Sequence, residues 1–139
     1  MREVEQLDVS YSTDENLCSV FVGVCASQEL FERYWDKDYD LLGDDCIGFE
    51  MGIDFGINTY DEDFAVMVLQ KNLTTQIDEI VKDAETFDIE ALKKMYPDGL
   101  DRPCNSIIIL HRMAYSGLVK EVENASFGYF KFLGVFDSW

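Results

Sequence analysis

The sequence predicts an α+β fold, in which a mixed or antiparallel sheet of about four strands is packed with helices. The chain has 139 residues, of which 47% are hydrophobic, and this suits one domain with a sizeable core. Short apolar segments rich in β-branched residues alternate with segments of helical periodicity. We expect residues 1–16, which are polar and acidic, to form a loosely held arm with a possible strand at residues 7–11. Residues 17–139 form the single globular domain.

Four segments have the composition of strands. Residues 18–25 are apolar on both faces and rich in β-branched residues, as in a buried central strand. The apolar run at residues 64–70 is interpreted as a strand, with a helix as the alternative. Residues 106–111 and the aromatic segment 127–136 complete the set. Because these strands are apolar on both faces, the sheet needs cover on both sides, or a partner on one.

Four further segments are predicted to be helical, which gives the order β-α-α-β-α-α-β-β. Ser27 is a suitable N-cap for the first helix, and Gly56 ends a second at residues 46–54. Thr75 and Asp88 are expected to cap the third and fourth helices, and Pro97 follows the last. The residues expected to face the core are Leu30, Phe31, Tyr34, Trp35, Ile77, Ile80, Val81, Ala84, Ile89, Leu92 and Met95.

Negative charge is concentrated in residues 36–63. This stretch contains ten acids and a single base, Lys37, so its net charge is −9 of the −17 carried by the chain. Its many apolar and aromatic residues distinguish it from a disordered acidic tail. Such a surface repels nucleic acid and anionic membrane and attracts cations or a basic protein surface. We therefore expect neither nucleic acid nor membrane as a partner.

The cysteines and the N-terminus indicate a cytoplasmic protein. Cys18, Cys25, Cys46 and Cys104 are widely spaced and adjoin apolar segments, which favours buried free thiols in a reducing compartment. The first residues lack the apolar region of a secretory signal, and no apolar run approaches the ~20 residues of a membrane span.

Motifs for metal binding or catalysis are incomplete, and we expect no metal, no cofactor and no enzymatic activity. Residues 36–40 begin like a calcium-binding loop, but Leu41 and Ile47 stand where such a loop needs glycine and a bidentate glutamate. A nucleophilic pair of Cys104 and His111, the only histidine, is conceivable. A histidine at a strand end with an ordinary polar contact is the favoured interpretation.

Three segments also carry a family resemblance. Residues 20–34, VFVGVCASQELFERY, look like an opening strand, a glycine and a helix of the immunity protein 22 family of bacterial polymorphic toxin systems. Residues 49–64, with DFGI at 54–57 and YDEDF at 60–64, are similar to its central signature. Residues 105–115 and 130–136 are similar to its two C-terminal strands. Phe21 stands where the family often has Trp, and residues 74–95 match no motif of the family.

The resemblance implies a small cytoplasmic protein that binds and neutralises a toxin domain. Residues 54–56 and 60–64 are the ones that match the family motifs, and the resemblance assigns no roles to them. The acidic stretch independently suits a toxin with a basic surface, such as a nuclease, because opposite charges accelerate association. The alternatives are a general acidic adaptor or nucleic-acid mimic and, less favoured, a small hydrolase. The residues predicted to contact the toxin are Asp36, Asp38, Tyr39, Asp40, Asp44, Asp45, Tyr60, Asp61, Glu62 and Asp63.

Overall fold

The structure, a computed structural model, describes residues 11–36, 48–57 and 59–139. The strands are β1 (Tyr11–Val24), β2 (Ala65–Thr74), β3 (Cys104–Tyr115), β4 (Glu121–Asn124) and β5 (Gly128–Asp137). The helices are α1 (Gln28–Trp35), α2 (Glu50–Phe55), α3 (Ile77–Ile80) and α4 (Ile89–Met95). A single 3₁₀ turn, Glu62–Phe64, leads into β2.

The described strands form one antiparallel sheet with the order β2-β3-β1-β5-β4. This confirms the α+β class and decides residues 65–74 in favour of a strand. The predicted count of about four strands was one too low, because β4 was interpreted as polar connection. Only Val122 of β4 is apolar, and an edge strand with alternating exposed acids has little hydrophobic signal. The described part of the predicted arm, residues 11–16, lies in β1.

Helices cover both faces of the sheet, as its two-sided apolar strands require. Val20, Val22, Ile107 and Ile109 belong to the cluster that contains the buried residues of α3 and α4. The opposite cluster joins α1 and α2 to the intervening strand positions, including Phe21, Ile108 and Leu110. Alternate residues of β1 and β3 therefore face different helical layers, which follows from the two-residue period of a strand.

The predicted helix ends are confirmed at three positions. The Ser27 hydroxyl accepts a hydrogen bond from Leu30 N at 3.2 Å, and the Asp88 carboxylate accepts one from Ala91 N at 3.2 Å. Gly56 ends α2 in the left-handed region, with φ of 74°. Residues 46 and 47 of the predicted second helix lie outside the described residues.

The third helix differs from its prediction. Thr75 is not its cap, because Gln76 precedes the helix and the Thr74 hydroxyl accepts from Gln76 N at 3.0 Å. The helix is one turn long and is followed by Asp83 at a φ of 65°, a backbone conformation that stops helix propagation. Val81 and Ala84 still reach the core, from the turn rather than from the helix.

Most residues predicted to face the core are buried, with two kinds of exception. Met95, predicted to be inward, is 53% exposed in the last turn of α4. Leu30, Trp35 and Ile89 are half-buried at the margins of the core. The helical period is correct in these segments, but the apolar stripe is wider than the surface against which each short helix packs.

Gly23 allows β1 and β5 to approach closely. A methyl group at this position would collide with the Tyr129 carbonyl oxygen and the Phe130 ring. The space holds Phe130, whose ring stacks on Tyr34 of α1 at 3.9 Å between centroids. Gly23 thus determines how closely α1 packs on the sheet, in the segment where the family resemblance begins.

Candidate functional site

The acidic residues 61–63 form an exposed turn at the start of β2. The Asp61 side chain accepts a hydrogen bond from Asp63 N at 3.1 Å, and the Asp61 carbonyl accepts from Phe64 N at 3.1 Å. These local bonds fix the turn, and one of them uses the Asp61 carboxylate. Asp61, Glu62 and Asp63 are all exposed. We call Asp61, Glu62 and Asp63 the acidic turn.

An exposed aromatic residue adjoins the acidic turn. Phe64 is 41% exposed, and the Arg112 guanidinium lies 3.8 Å from the centre of its ring. Arg112 adopts a φ of 63° on β3. The register of β1 and β3 is irregular between Thr13 and Cys18, opposite this position. A cation stacked on an exposed ring holds that ring in one orientation.

The acidic turn borders a surface cleft of about 370 Å³ between the start of β2, β3 and the C-terminal residues. Two acids, Glu15 and Asp63, lie in its lining together with the base Arg112. The complete lining is Glu15, Asp63, Phe64, Ala65, Val66, Thr86, His111, Arg112, Ser138 and Trp139. It combines carboxylates with aromatic surface, which suits a cationic or amphipathic group of a partner.

Trp139 is presented to this cleft by an anchored C-terminal segment. Its backbone N–H donates to the Thr86 carbonyl at 2.9 Å, and Ser138 N donates to the Asn16 carbonyl at 3.0 Å. Phe87 and Ser138 form an antiparallel bridge. The Trp139 side chain is nevertheless 72% exposed. A large exposed aromatic residue on fixed backbone resembles the anchors that dominate protein interfaces.

His111 forms the inner wall of the cleft and has ordinary polar partners. Its Nε2 lies 2.8 Å from the Thr86 hydroxyl, and its Nδ1 is hydrogen-bonded to the Ser138 hydroxyl. Burial lowers the pKa of His111 below its usual value. The side chain is therefore neutral near pH 7 and links the strand to the C-terminal segment. The polar contacts predicted for this histidine are confirmed, but His111 lies within β3 and not at a strand end.

Cys104 and His111 do not form a nucleophilic pair. They are seven residues apart on β3, which corresponds to roughly 23 Å along a strand. The Cys104 thiol is buried beside the Arg102 carbonyl, and burial raises its pKa to about 11. Cys18 and Cys25 are likewise buried and free, and burial raises the pKa of Cys18 to about 12. These thiols are inert packing groups, as predicted, and Cys46 lies outside the described residues.

The structure brings some predicted contact residues together and places one in the core. Tyr60 is 7% exposed, and its hydroxyl donates to the Trp35 carbonyl at 2.6 Å. Burial and the nearby Asp36 carboxylate raise the pKa of Tyr60. Asp36 is exposed at the C-terminal end of α1, so it lies beside the segment that leads into the acidic turn. The remaining predicted contact residues, Asp38, Tyr39, Asp40, Asp44 and Asp45, lie outside the described residues.

Among the lining residues of the cleft named above, Asp63 alone was a predicted contact residue. Glu15, Arg112 and Trp139 are far apart in the sequence. They meet because β1 and β3 are neighbours in the sheet and because the chain end returns to residues 86–87. Phe64 was recognised as apolar but assigned to the following strand. Its position directly after three acids is the one local signal that favours an exposed ring.

Neither a metal cluster nor a membrane-spanning helix is found in the described ranges. Residues 11–36, 48–57 and 59–139 contain no group of three or more His, Cys, Asp or Glu side chains arranged to hold a metal ion. None of the helices within those ranges has the length and apolar character needed to cross a membrane. The loop that begins like a calcium site, residues 36–47, lies outside them except for Asp36.

Comparison with known proteins identifies one family. A family model described as Immunity protein 22 matches residues 18–138, which is most of the chain. No curated protein and no solved structure matches it. The matched range starts within β1 and ends beside Trp139, so it includes the acidic turn and most of the cleft.

Proposed function

Since the chain belongs to the immunity protein 22 family, we propose that it neutralises a cognate toxin by binding a basic surface of the toxin with the acidic turn and the adjoining cleft. Family membership points to a toxin-neutralising role, and immunity proteins generally act as inhibitors without catalysis. A nuclease is the toxin class whose active surface such a face suits best.

The observation that carries this proposal is a single cleft lined by both acids and exposed aromatic rings. Asp63 and Phe64 are consecutive, and both line the cleft that Trp139 borders. Interfaces bind most strongly where aromatic anchors are surrounded by groups that exclude water. Charged rim groups act mainly on the rate of association. The acidic turn would therefore steer the toxin, and Phe64 and Trp139 would hold it.

The whole molecule supports the same steering. The net charge of −17 produces a field that attracts a basic partner and repels nucleic acid. Such attraction can raise association rates well above the ~10⁵–10⁶ M⁻¹s⁻¹ typical of neutral partners. Rapid capture of the toxin protects the producing cell. We place the protein in the cytoplasm of that cell.

The test is association kinetics with the toxin domain encoded beside this protein's gene. The variant Asp61→Asn, Glu62→Gln, Asp63→Asn should associate at least several-fold more slowly than wild type at low salt, with a weaker salt dependence. Its thermal stability should hardly change, because the three side chains are exposed. If its association rate and salt dependence equal those of wild type, the acidic turn is not the binding face.

A matched control separates local from global charge. The variant Asp78→Asn, Glu90→Gln, Asp98→Asn removes the same three negative charges from exposed positions around Lys93 and α4. Asp78 follows β2 in the chain, and the end of that strand lies roughly 30 Å from its start beside the acidic turn. This control should slow association much less than the acidic-turn variant. Equal effects would assign the steering to net charge alone.

A further inference from the structure

The two outer strands of the sheet differ in how well they are protected from pairing with another chain. β4 has four residues, and its acids Glu121 and Glu123 bond to Tyr129 and Arg102. Short length and charge are the usual protection of an edge. β2 has ten residues, and its first six, AVMVLQ, carry no charge and are half-buried. Within the described ranges, β3 is the one strand with which β2 pairs.

The register identifies which backbone groups of β2 point outward. Ser138 N donates to the Asn16 carbonyl, so the backbone N–H and C=O groups of residues 16, 18 and 20 of β1 point towards β5. The backbone groups of residues 19, 21 and 23 therefore point towards β3. On β3, the partners of Ser19 and Phe21 are Leu110 and Ile108, whose backbone groups therefore point back to β1. The backbone groups of the alternate residues, Ile107 and Ile109, point the other way and form hydrogen bonds with Val68 and Val66 of β2. The N–H and C=O groups of Met67 and Leu69 therefore point away from the sheet.

The segment that contains α3 covers part of the outer edge of β2. The Gln70 side chain donates to the carbonyls of Ile80 at 3.1 Å and Lys82 at 2.7 Å, so the loop after α3 lies against β2 there. Residues 65–69 are free of such contacts within the described structure. They form an uncharged edge of five residues without a register shift, which is about the length of an average strand.

We propose that this edge, residues 65–69 of β2, is a strand-addition site at which an extended segment of the toxin pairs as a sixth strand. The proposal rests on the proposed function and specifies the mode of binding. Main-chain hydrogen bonds to Met67 and Leu69 supply affinity in this mode, while side-chain pockets at the ends of the strand supply specificity.

Charge and continuity indicate the chemistry of the incoming segment. Ala65 and Val66 belong both to the edge and to the lining of the cleft, so a strand on β2 leads directly to Asp63 and Glu15. The segment should carry a Lys or Arg at the end that reaches these carboxylates, and uncharged residues beside Met67. A second copy of this chain is disfavoured as the occupant, because each copy carries a net charge of −17.

Amide hydrogen exchange measured by NMR on the ¹⁵N-labelled protein tests the pairing directly. In the free protein, Met67 and Leu69 should exchange faster than Val66 and Val68, whose amides bond to β3. With the toxin domain bound, exchange at Met67 and Leu69 should slow by at least tenfold. Strand addition is wrong if the toxin binds while both amides exchange as in the free protein. Slowing without toxin that increases with protein concentration would assign the edge to self-association and also overturn the proposal.

A pair of variants at one position separates the backbone from the side chain. Met67→Pro removes the outward N–H and adds a ring at the edge, and it keeps the bonds to β3. Met67→Ala keeps the N–H and removes a similar amount of side-chain packing. We expect Met67→Pro to weaken toxin binding at least tenfold relative to Met67→Ala. If Met67→Pro does not fold, Leu69→Pro and Leu69→Ala repeat the comparison.

The outcomes distinguish the two proposals. If wild-type protein neither binds nor neutralises the adjacent toxin domain, the proposed function and the strand addition both fail. If wild type neutralises the toxin and each proline variant binds as tightly as its alanine partner, strand addition alone is wrong. In that case the acidic turn and cleft remain the binding face.

Discussion

The Tyr34 hydroxyl donates a hydrogen bond of 2.8 Å to the Asp54 carboxylate, which joins α1 to α2 across the aromatic layer. The same carboxylate oxygen accepts from the Asn124 amide at 3.0 Å, so it also joins α2 to β4. Burial and the charge of Asp54 raise the pKa of Tyr34, which keeps the phenol protonated as a donor. Asp54 belongs to the DFGI signature, and the structure gives this residue a role in holding together three elements.

Loss of this hydrogen bond should lower stability without affecting association. Tyr34→Phe keeps the ring that stacks on Phe130 and removes only the hydroxyl. We expect the free energy of unfolding to fall by about 1–2 kcal/mol, since a charged acceptor loses one of its partners. Urea unfolding measures this change. The rate of association with the toxin should stay at the wild-type value, because Tyr34 is buried.

A double-mutant cycle with Asn124→Ala provides the control. Because Tyr34 and Asn124 share one oxygen of Asp54, their effects should not be additive, with a coupling of about 0.5 kcal/mol or more. Strictly additive losses would mean that the two donors act independently and that Asp54 does not connect them.

Tyr60 should influence folding rather than binding. The sequence predicted it as a contact residue, whereas the structure buries it and places its ring against Phe49 at 5.2 Å between centroids. Tyr60→Phe should cost about 1 kcal/mol through the lost bond to the Trp35 carbonyl, and Tyr60→Ala about 3–5 kcal/mol. Thermal unfolding and toxin dissociation should be measured on the same samples. Faster dissociation of Tyr60→Phe with unchanged stability would return this residue to the interface.

The exposed rings Phe64 and Trp139 are expected to determine how long the complex persists. Trp139→Ala and Phe64→Ala should each increase the dissociation rate at least tenfold, with association changed less than threefold, because anchors act after encounter. Surface plasmon resonance resolves the two rates. Leu118→Ala is a suitable control, since Leu118 is also an exposed apolar residue but is not part of the cleft. Similar effects of all three variants would show that the cleft has no special role.

The parts of the fold that sequence could predict are those with strong local periodicity. The apolar strands at 18–25 and 106–111 and the Ser27 and Asp88 caps are encoded within a few residues, and the structure contains all of them. The edge strand β4 has one apolar residue and depends on pairing with β5, so its own sequence does not reveal it.

The cleft was beyond sequence reasoning for a different reason. It brings Glu15 and Asp63 beside Trp139, and only the strand order and the return of the chain end create that proximity. For Tyr60, the local sequence pattern and the structure disagree about exposure. The three acids that follow it favour exposure, but the Trp35 carbonyl at the end of α1 binds its hydroxyl and the ring fills the space between α1 and Phe49. Local charge pattern identified the acidic turn and misplaced the aromatic residue beside it.

His111 should make stability depend on pH. Its pKa is lowered in the folded protein by burial, whereas the unfolded chain takes up a proton near pH 6.5. Between these two values the unfolded state binds more protons, so stability rises with pH there. The contribution of the neutral side chain is complete above about pH 6.5 and is lost as pH falls through the folded-state pKa.

The measurement compares wild type with His111→Gln from pH 7.5 to pH 5.5 by urea unfolding. Acids elsewhere on the chain titrate in both proteins, so the difference in unfolding free energy between them isolates the histidine. Wild type should lose stability relative to His111→Gln as pH falls. Glu15 and Asp63 line the same cleft and would favour a protonated imidazole if it faced them, whereas Thr86 and Ser138 occupy its two nitrogens. If wild type instead gains stability relative to His111→Gln as pH falls, the carboxylates of the cleft control the charge of His111. That result would also show that the cleft is more open than its hydrogen bonds indicate.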